Sequence, residues 1–232
     1  MYILGIETST KTGSVAIVCE KSIVAQYSLN IEVTHSERLM ATVDRVLSDT
    51  GIPISRINGF AVAIGPGSFT GLRIGVSTVK GLALATGKPV AAVPTLKALA
   101  WNVPYTAYTI CTILDARKNE VYAALYQYDR TDLAQKMPET VISLAKLSGQ
   151  ISGMTVFTGE ASLVYHDTLE KLFGARALFA PLTAVLPSAA AIAEIGYGMI
   201  SHGRHADTDS LTPLYIRRPE AEVAWEKKMQ SR

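Results

Sequence analysis

Cysteine is nearly absent from this sequence: only Cys19 and Cys111 occur in 232 residues, far apart and each inside an apolar, strand-like run. That usage excludes a disulfide framework and the paired spacing of a zinc site, and it reads as two core thiols. Long hydrophobic runs are missing too. Hydrophobic residues make up 48% of the chain, yet no stretch approaches the roughly 20 continuous apolar residues of a membrane helix. The opening Met1-Tyr2-Ile3-Leu4-Gly5-Ile6-Glu7 has no basic segment and places an acid straight after its apolar run, which argues against a secretory signal and for a cytoplasmic protein. Charge of one sign is also lacking. With 22 basic and 20 acidic residues the net charge is +2, too balanced to neutralise the phosphates of a nucleic acid unaided. The basic cluster Arg217-Arg218 and Lys227-Lys228 to Arg232 lies in the tail and reads as a solvated terminus.

Paired histidines, which place two rings on one ion when they stand four apart on a helix, are absent as well. Leu39 occupies that offset from His35, His202 and His205 are three apart beside Gly203, and His166 stands alone. All four read as surface or capping residues.

What is present is a clear order of elements. Tyr2–Ile6, Ser14–Cys19 and Ile23–Ile31 read as strands joined by short turns. Thr34-His35-Ser36-Glu37 has the form of a capping box, opening a helix to about Thr50 whose Leu39, Met40, Val43, Val46 and Leu47 recur at helical spacing. Phe60–Ile64 reads as a strand buried on both faces, Phe69–Thr86 as a helix stopped by Gly87 and Pro89, Val90–Val93 as a strand and Thr95–Trp101 as a helix. The order βββαβαβα is the ribonuclease-H-like unit, and proteins of the actin and sugar-kinase superfamily contain two of them. After a boundary near Asn102–Pro104 the plan repeats in reduced form. Strands are expected at Thr109–Leu114, Glu120–Tyr128, near Glu139–Ile142 and at Thr155–Thr158, with helices to Gln150, around Leu163–Phe173 and from Ser188 to Ile200. The chain therefore divides into residues 1–103 and a second unit, 104–232, with a reduced, degenerate form of the plan, whose end is free to pack back on the first.

The chemistry such a fold supports is weakly provided for. A ribonuclease-H nuclease needs three carboxylates around two cations, and the strand ending at Ile64-Gly65-Pro66-Gly67 brings none. An actin-like ATPase needs two phosphate-binding turns, each with an acid, a Ser or Thr and a close-approach glycine. The first turn, Glu7-Thr8-Ser9-Thr10-Lys11-Thr12-Gly13, has its glycine displaced, and the second, Asp115-Ala116-Arg117-Lys118, has none. Glu7, Thr8, Ser9, Gly67, Ser68 and Asp115 remain candidates for a residual nucleotide or anion site, the alternative for Glu7 and Asp115 being turn and strand-end roles.

The segment Gly65 to Gly75, GPGSFTGLRIG, joins a strand to a helix N-terminus, where free amides favour anions. Its spacing matches neither common phosphate-binding motif, and Pro66 lacks an amide. Gly71, Gly75 and Gly81 sit inside the helix, at about 0.5–1 kcal/mol each relative to Ala. Gly71 and Gly75 share a face against which another backbone can approach, from this chain's own sheet or from another subunit.

On these motifs, together with His35-Ser36-Glu37-Arg38-Leu39, Thr95-Leu96-Lys97-Ala98-Leu99-Ala100, Asp115 to Tyr122 and Pro213-Leu214-Tyr215-Ile216-Arg217, the chain resembles the TsaB (YeaZ) family over nearly its whole length. The resemblance implies an actin-like (ASKHA) α/β fold and a non-catalytic scaffold that activates a catalytic paralogue, TsaD. With the ATPase TsaE, that paralogue places a threonylcarbamoyl group on the adenosine beside the anticodon of tRNAs reading codons that begin with A. It implies no cofactor bound by this chain alone, with ATP and a metal ion in partner subunits, tRNA met through the complex, and a homodimer when partners are absent. The two early helices form the family's interface, which points to Leu39, Met40, Val43, Val46, Leu72, Val76 and Val79. An actin-like kinase or ATPase, or a glycoprotease-like hydrolase, with a site of its own is the rival expectation.

Overall fold

In a computed structural model, which describes residues 1–30, 35–217 and 229, the chain folds as two five-stranded mixed sheets with helices on both faces of each. The first unit comprises β1 (Ile3–Glu7), β2 (Gly13–Cys19), β3 (Ser22–Leu29), α1 (His35–Thr50), β4 (Gly59–Gly65), α2 (Phe69–Thr86), β5 (Val90–Pro94) and α3 (Thr95–Trp101). The second comprises β6 (Thr109–Asp115), β7 (Glu120–Asp129), β8 (Asp132–Ser143), α4 (Leu144–Ser148), β9 (Thr155–Thr158), α5 (Glu160–Val164), α6 (His166–Phe173), β10 (Ala177–Phe179) and α7 (Ala189–Ser201). Sheet orders β3-β2-β1-β4-β5 and β8-β7-β6-β9-β10 are the same, so the repeat expected from sequence is present in both halves.

The two units are interlocked through their last helices. On the first sheet, Leu4, Ile6, Val15 and Ile17 pack under α1 and α2. The opposite face, Ile3, Ala16, Ala61, Ala91 and Val93, is covered by α7, from the far end of the chain. The α3 helix instead leaves its own sheet: Leu96, Leu99 and Ala100 pack on Ile110, Leu114, Ala124 and Tyr126 of the second sheet. That sheet's other face holds α4, α5 and α6 through Leu144, Leu147, Ala161, Leu169 and Phe173. Alanine and glycine dominate the α7 contact and bring helix and sheet close. A Cβ on Gly196 would overlap that of Ala61, and one on Gly5 would overlap the Ala189 carbonyl and lie 2.8 Å from the Ala193 Cβ.

Three expectations are corrected. The strand read at Glu139–Ile142 runs the full length of β8, Asp132–Ser143; Pro138 breaks no ladder there because β8 is an edge strand, where a missing amide is tolerated. The helix read as continuous from Leu163 to Phe173 is two, broken at Tyr165 (φ −106°, ψ 21°), next to the β-branched Val164. Cys19 is only half-buried, its thiol 3.3 Å from the Ser22 hydroxyl, while Cys111 is a core thiol. The Thr34 cap and the end of the strand read to Ile31 lie outside the described residues. Among the described residues no helix is long and apolar enough to cross a membrane.

Gly5→Ala is expected to force α7 off the first sheet and to cost roughly 2–3 kcal/mol, in the range of core overpacking. An unchanged urea midpoint for the variant would contradict the close α7–β1 approach.

Candidate functional site

At the carboxyl ends of the strands, two turns occupy equivalent places: residues 8–12 after β1, and 116–119 after β6. The first is pressed against α2. Thr8 Oγ1 donates to the Gly71 carbonyl at 2.8 Å, and the Ser68 amide donates to the Ser9 carbonyl at 2.6 Å. A side chain on Gly67 would overlap the Ser9 carbonyl, on Gly71 the Thr8 carbonyl, and on Gly75 the Thr8 hydroxyl. The glycine face of α2 is thus occupied by this chain's own backbone, which answers the question that its spacing poses. Gly81, on the same helix, has open space where a Cβ would be.

The N-terminus of α2 is also occupied. Ser68 caps it, its Oγ accepting from the Gly71 amide at 3.3 Å, as expected for a Ser at this position. His35 closes the turn from the α1 side, its ring N–H donating from Nε2 to the Thr10 carbonyl at 2.8 Å. Thr8, Ser9, Gly67 and Ser68 therefore lie together, the turn in direct contact with the start of the helix.

Glu7 lies beneath this contact, wholly buried, one carboxylate oxygen accepting from the Ser9 amide and the other without a partner. Burial pushes its pKa up to about 7, against the lowering effect of the Ser9 hydrogen bond. A carboxyl group so placed is half-neutral near physiological pH and is a turn-supporting residue rather than an exposed ligand.

The second turn has no glycine, and Arg117, Lys118 and Asn119 all take positive φ, 61°, 55° and 58°. Each costs roughly 1–2 kcal/mol in a residue with a Cβ. Asp115 accepts from the Arg117 amide at 2.9 Å and from the Tyr165 hydroxyl at 3.4 Å. Its charge reaches Glu160, whose pKa is raised first by burial and then by Asp115, while Lys11 of the first turn opposes the rise. Glu160 thus feels a charge from each turn, while Asp115 is held in its own.

Sequence reasoning missed what holds this second turn. Arg217, expected as part of a solvated tail, donates from Nη1 to the Ala116 carbonyl at 2.6 Å and pairs with Glu120. The motif Pro213 to Arg217 was the available signal.

Of the seven residues expected at a partner interface, Leu39, Val43, Val46, Leu72, Val76 and Val79 are buried in this chain's own core; Met40 alone is exposed, at 53%. The helical apolar period marks the face turned toward the sheet. The outward faces carry Met40, Ala41 and Asp44 on α1, and Ser77, Gly81, Leu84 and Ala85 on α2, with Leu84 85% exposed. Among the described residues, possible metal donors gather in one place, His166, Asp167 and Glu170 on the exposed first turn of α6, where acids are favoured by the helix dipole alone. A cavity of about 1050 Å³, lined by Lys97, Trp101, Tyr126 and Glu194 among others, opens at the opposite ends of the strands, away from both turns.

Two ribonuclease-H-like units with exchanged last helices and equivalent turns at the carboxyl ends of their first strands make up the actin-like fold of the ASKHA class. The fold matches the ROK hexokinase from Thermus thermophilus with a TM-score of 0.52 over 87% of this chain and 100% of that one, at 13% identity. A family model described as "TsaD: tRNA N6-adenosine threonylcarbamoyltransferase" matches residues 25–225. A Pseudomonas aeruginosa protein described as similar to peptidase YEAZ superposes with a TM-score of 0.81, at 26% identity over 93% of this chain and 99% of that one. The tRNA threonylcarbamoyladenosine biosynthesis protein TsaB of Bacillus subtilis is 32% identical over 97% of this chain and 98% of its own. The chain belongs to the TsaB (YeaZ) family.

The raised Glu7 pKa has a pH consequence. The folded protein binds this proton more tightly than the unfolded chain, so the contribution is fully present below about pH 4.5 and is lost as pH rises through about 7. Glu7→Gln should flatten this part of the profile and stabilise the protein at pH 8, by up to about 3 kcal/mol. Urea unfolding at pH 5 and pH 8 reads it; parallel profiles for the two proteins would contradict the assignment.

Proposed function

We propose that this chain is a non-catalytic subunit that scaffolds and activates the paralogous threonylcarbamoyltransferase TsaD in tRNA threonylcarbamoyladenosine biosynthesis, with TsaE as the further partner. The observation that carries the reading is the seating of Thr8 and Ser9 on the glycine face of α2, which ties the first turn to the helix N-terminus. The second turn lacks the glycine that would let backbone amides approach a phosphate closely. ATP and metal chemistry accordingly belong to the partner subunits, and tRNA is met through the assembled complex in the cytoplasm.

The partner face is the outward side of α1 and α2. Met40, Leu84 and Ala85 are apolar and exposed there, and Gly81 leaves room for a helix to approach closely. TsaD is the occupant this reading assigns, a paralogue by the family model that matches residues 25–225 and so one that carries an equivalent helix pair. Two paralogues can then pair through equivalent helix pairs about a pseudo-twofold axis, and two copies of this chain would do the same when TsaD is absent.

Leu84→Asp, or Met40→Asp, should weaken capture of TsaD by at least about tenfold with an unchanged melting temperature, because a charge is desolvated at the contact and nothing in the core is touched. Val43→Asp should instead unfold the chain. Omitting the protein from a reconstituted tRNA modification should abolish product, and adding it back should restore it. Full modification without it, undiminished TsaD capture by both surface variants, or steady ATP turnover by the chain alone would overturn the proposal.

A further inference from the structure

The segment after α7 does more than end the chain. Ala206 bridges to Val90 at the edge of the first sheet, and its amide donates to the Val90 carbonyl at 2.7 Å. Further along, the Lys80 ammonium of α2 donates to the carbonyls of Asp209 and Leu211, at 2.9 and 3.3 Å. Leu214 donates to the Ile64 carbonyl at 2.7 Å, and its own carbonyl oxygen lies 2.8 Å from where a Cβ on Gly65 would sit, a residue whose φ of 120° only glycine accepts easily. Tyr215 then stacks on Phe69, centroids 4.8 Å apart, while the Arg73 guanidinium lies 4.0 Å from the Phe69 centroid and donates to the Tyr215 hydroxyl at 3.0 Å. Two residues later Arg217 reaches the other unit, holding Ala116 and Glu120 on either side of the left-handed turn.

We propose that residues 206–217 are a conformational strap: anchored along the first unit, they hold the strained 116–119 turn of the second through Arg217 and so fix that turn's position against the first unit. The sequence of contacts supports this over a purely local role for Arg217. Within the turn the Ala116 amide donates to the Glu120 carbonyl and the Glu120 amide to the Arg117 carbonyl, at 3.0 Å each, and the Arg117 amide to the Asp115 side chain. Three consecutive left-handed residues with side chains need outside support to persist. Arg217 supplies a forked, charge-assisted pair at that point, and the aromatic stack two residues earlier sets where the fork falls. The strap depends on the fold alone and stands whether or not TsaD is the partner.

Hydrogen–deuterium exchange of the full chain tests it. In Arg217→Ala, exchange of the 115–120 amides should accelerate by at least about tenfold, while β1 and β4 keep their protection. A strap also predicts that loosening the upstream anchor is felt at the turn, so Tyr215→Ala and Arg73→Ala should accelerate the same amides without touching Arg217. Arg73 is exposed, and its variant carries the upstream test should Tyr215→Ala fail to fold. Acceleration in Arg217→Ala alone would overturn the strap, leaving Arg217 a local staple. Unchanged exchange at the turn in every variant, or equal acceleration throughout the molecule, would also overturn it.

Discussion

The contact on which the rest of this molecule depends is the backbone of Thr8 and Ser9 lying against the glycine face of α2. It needs Gly67, Gly71 and Gly75 at once, because a Cβ at any of the three overlaps the turn. Glycine inside a helix is unfavourable by about 0.5–1 kcal/mol relative to Ala, and here the loss is offset by close packing and by the hydrogen bonds of Thr8 Oγ1 to Gly71 and Ser68 N to Ser9. Here the carbonyls of Thr8 and Ser9 lie against the helix, so the turn and the start of α2 form one packed unit.

The two turns reach the same end by different physics. The first is held by packing, and what it strains is electrostatic: a carboxyl group with one unpartnered oxygen is buried below it. The second is exposed and strained in its backbone, and it is held from outside by Arg217. Equivalent glycines, Gly65 at the end of β4 and Gly159 just after β9, keep φ of 120° and 106°, so positive φ recurs where each parallel strand ends. The repeat is better preserved where it shapes backbone than where it would contact ligand.

Much of this was legible in the sequence. The bounds of α2 and α3 fall where the punctuation of Gly87, Pro89 and Pro94 puts them, since glycine and proline act locally and tertiary context seldom overrides them. The identity of two ribonuclease-H-like units followed from element order. The site was less legible, for a definable reason. The residues carried over from the family's interface, Leu39, Val43, Val46, Val76 and Val79 among them, are the apolar ones, and apolar periodicity on α1 and α2 reports the side facing the sheet, so these five are core. Leu84 and Gly81 break the period, and a residue that breaks it carries no signal by itself. Arg217 was hidden differently: a basic residue near a chain end looks solvated, and only the fold brings it to a turn about a hundred positions away in sequence.

The exchange of α3 and α7 decides how such a protein can respond to a partner. Each unit's last helix completes the other's core, through Leu96 and Leu99 in one direction and Ile192 and Ile195 in the other. The units therefore cannot separate without exposing apolar surface in both, and relative motion is confined to small sliding of packed helices rather than free hinging. A partner bound on the outward face of α1 and α2 touches one sheet only. Elements that bear on both units, and so can carry its influence to the far one, include the α7 layer, α3 and the segment after α7 that α2 contacts and that ends at Arg217. Lys80 and Arg73, on the side of α2 that meets that segment, place this last route within one helix width of the proposed partner face.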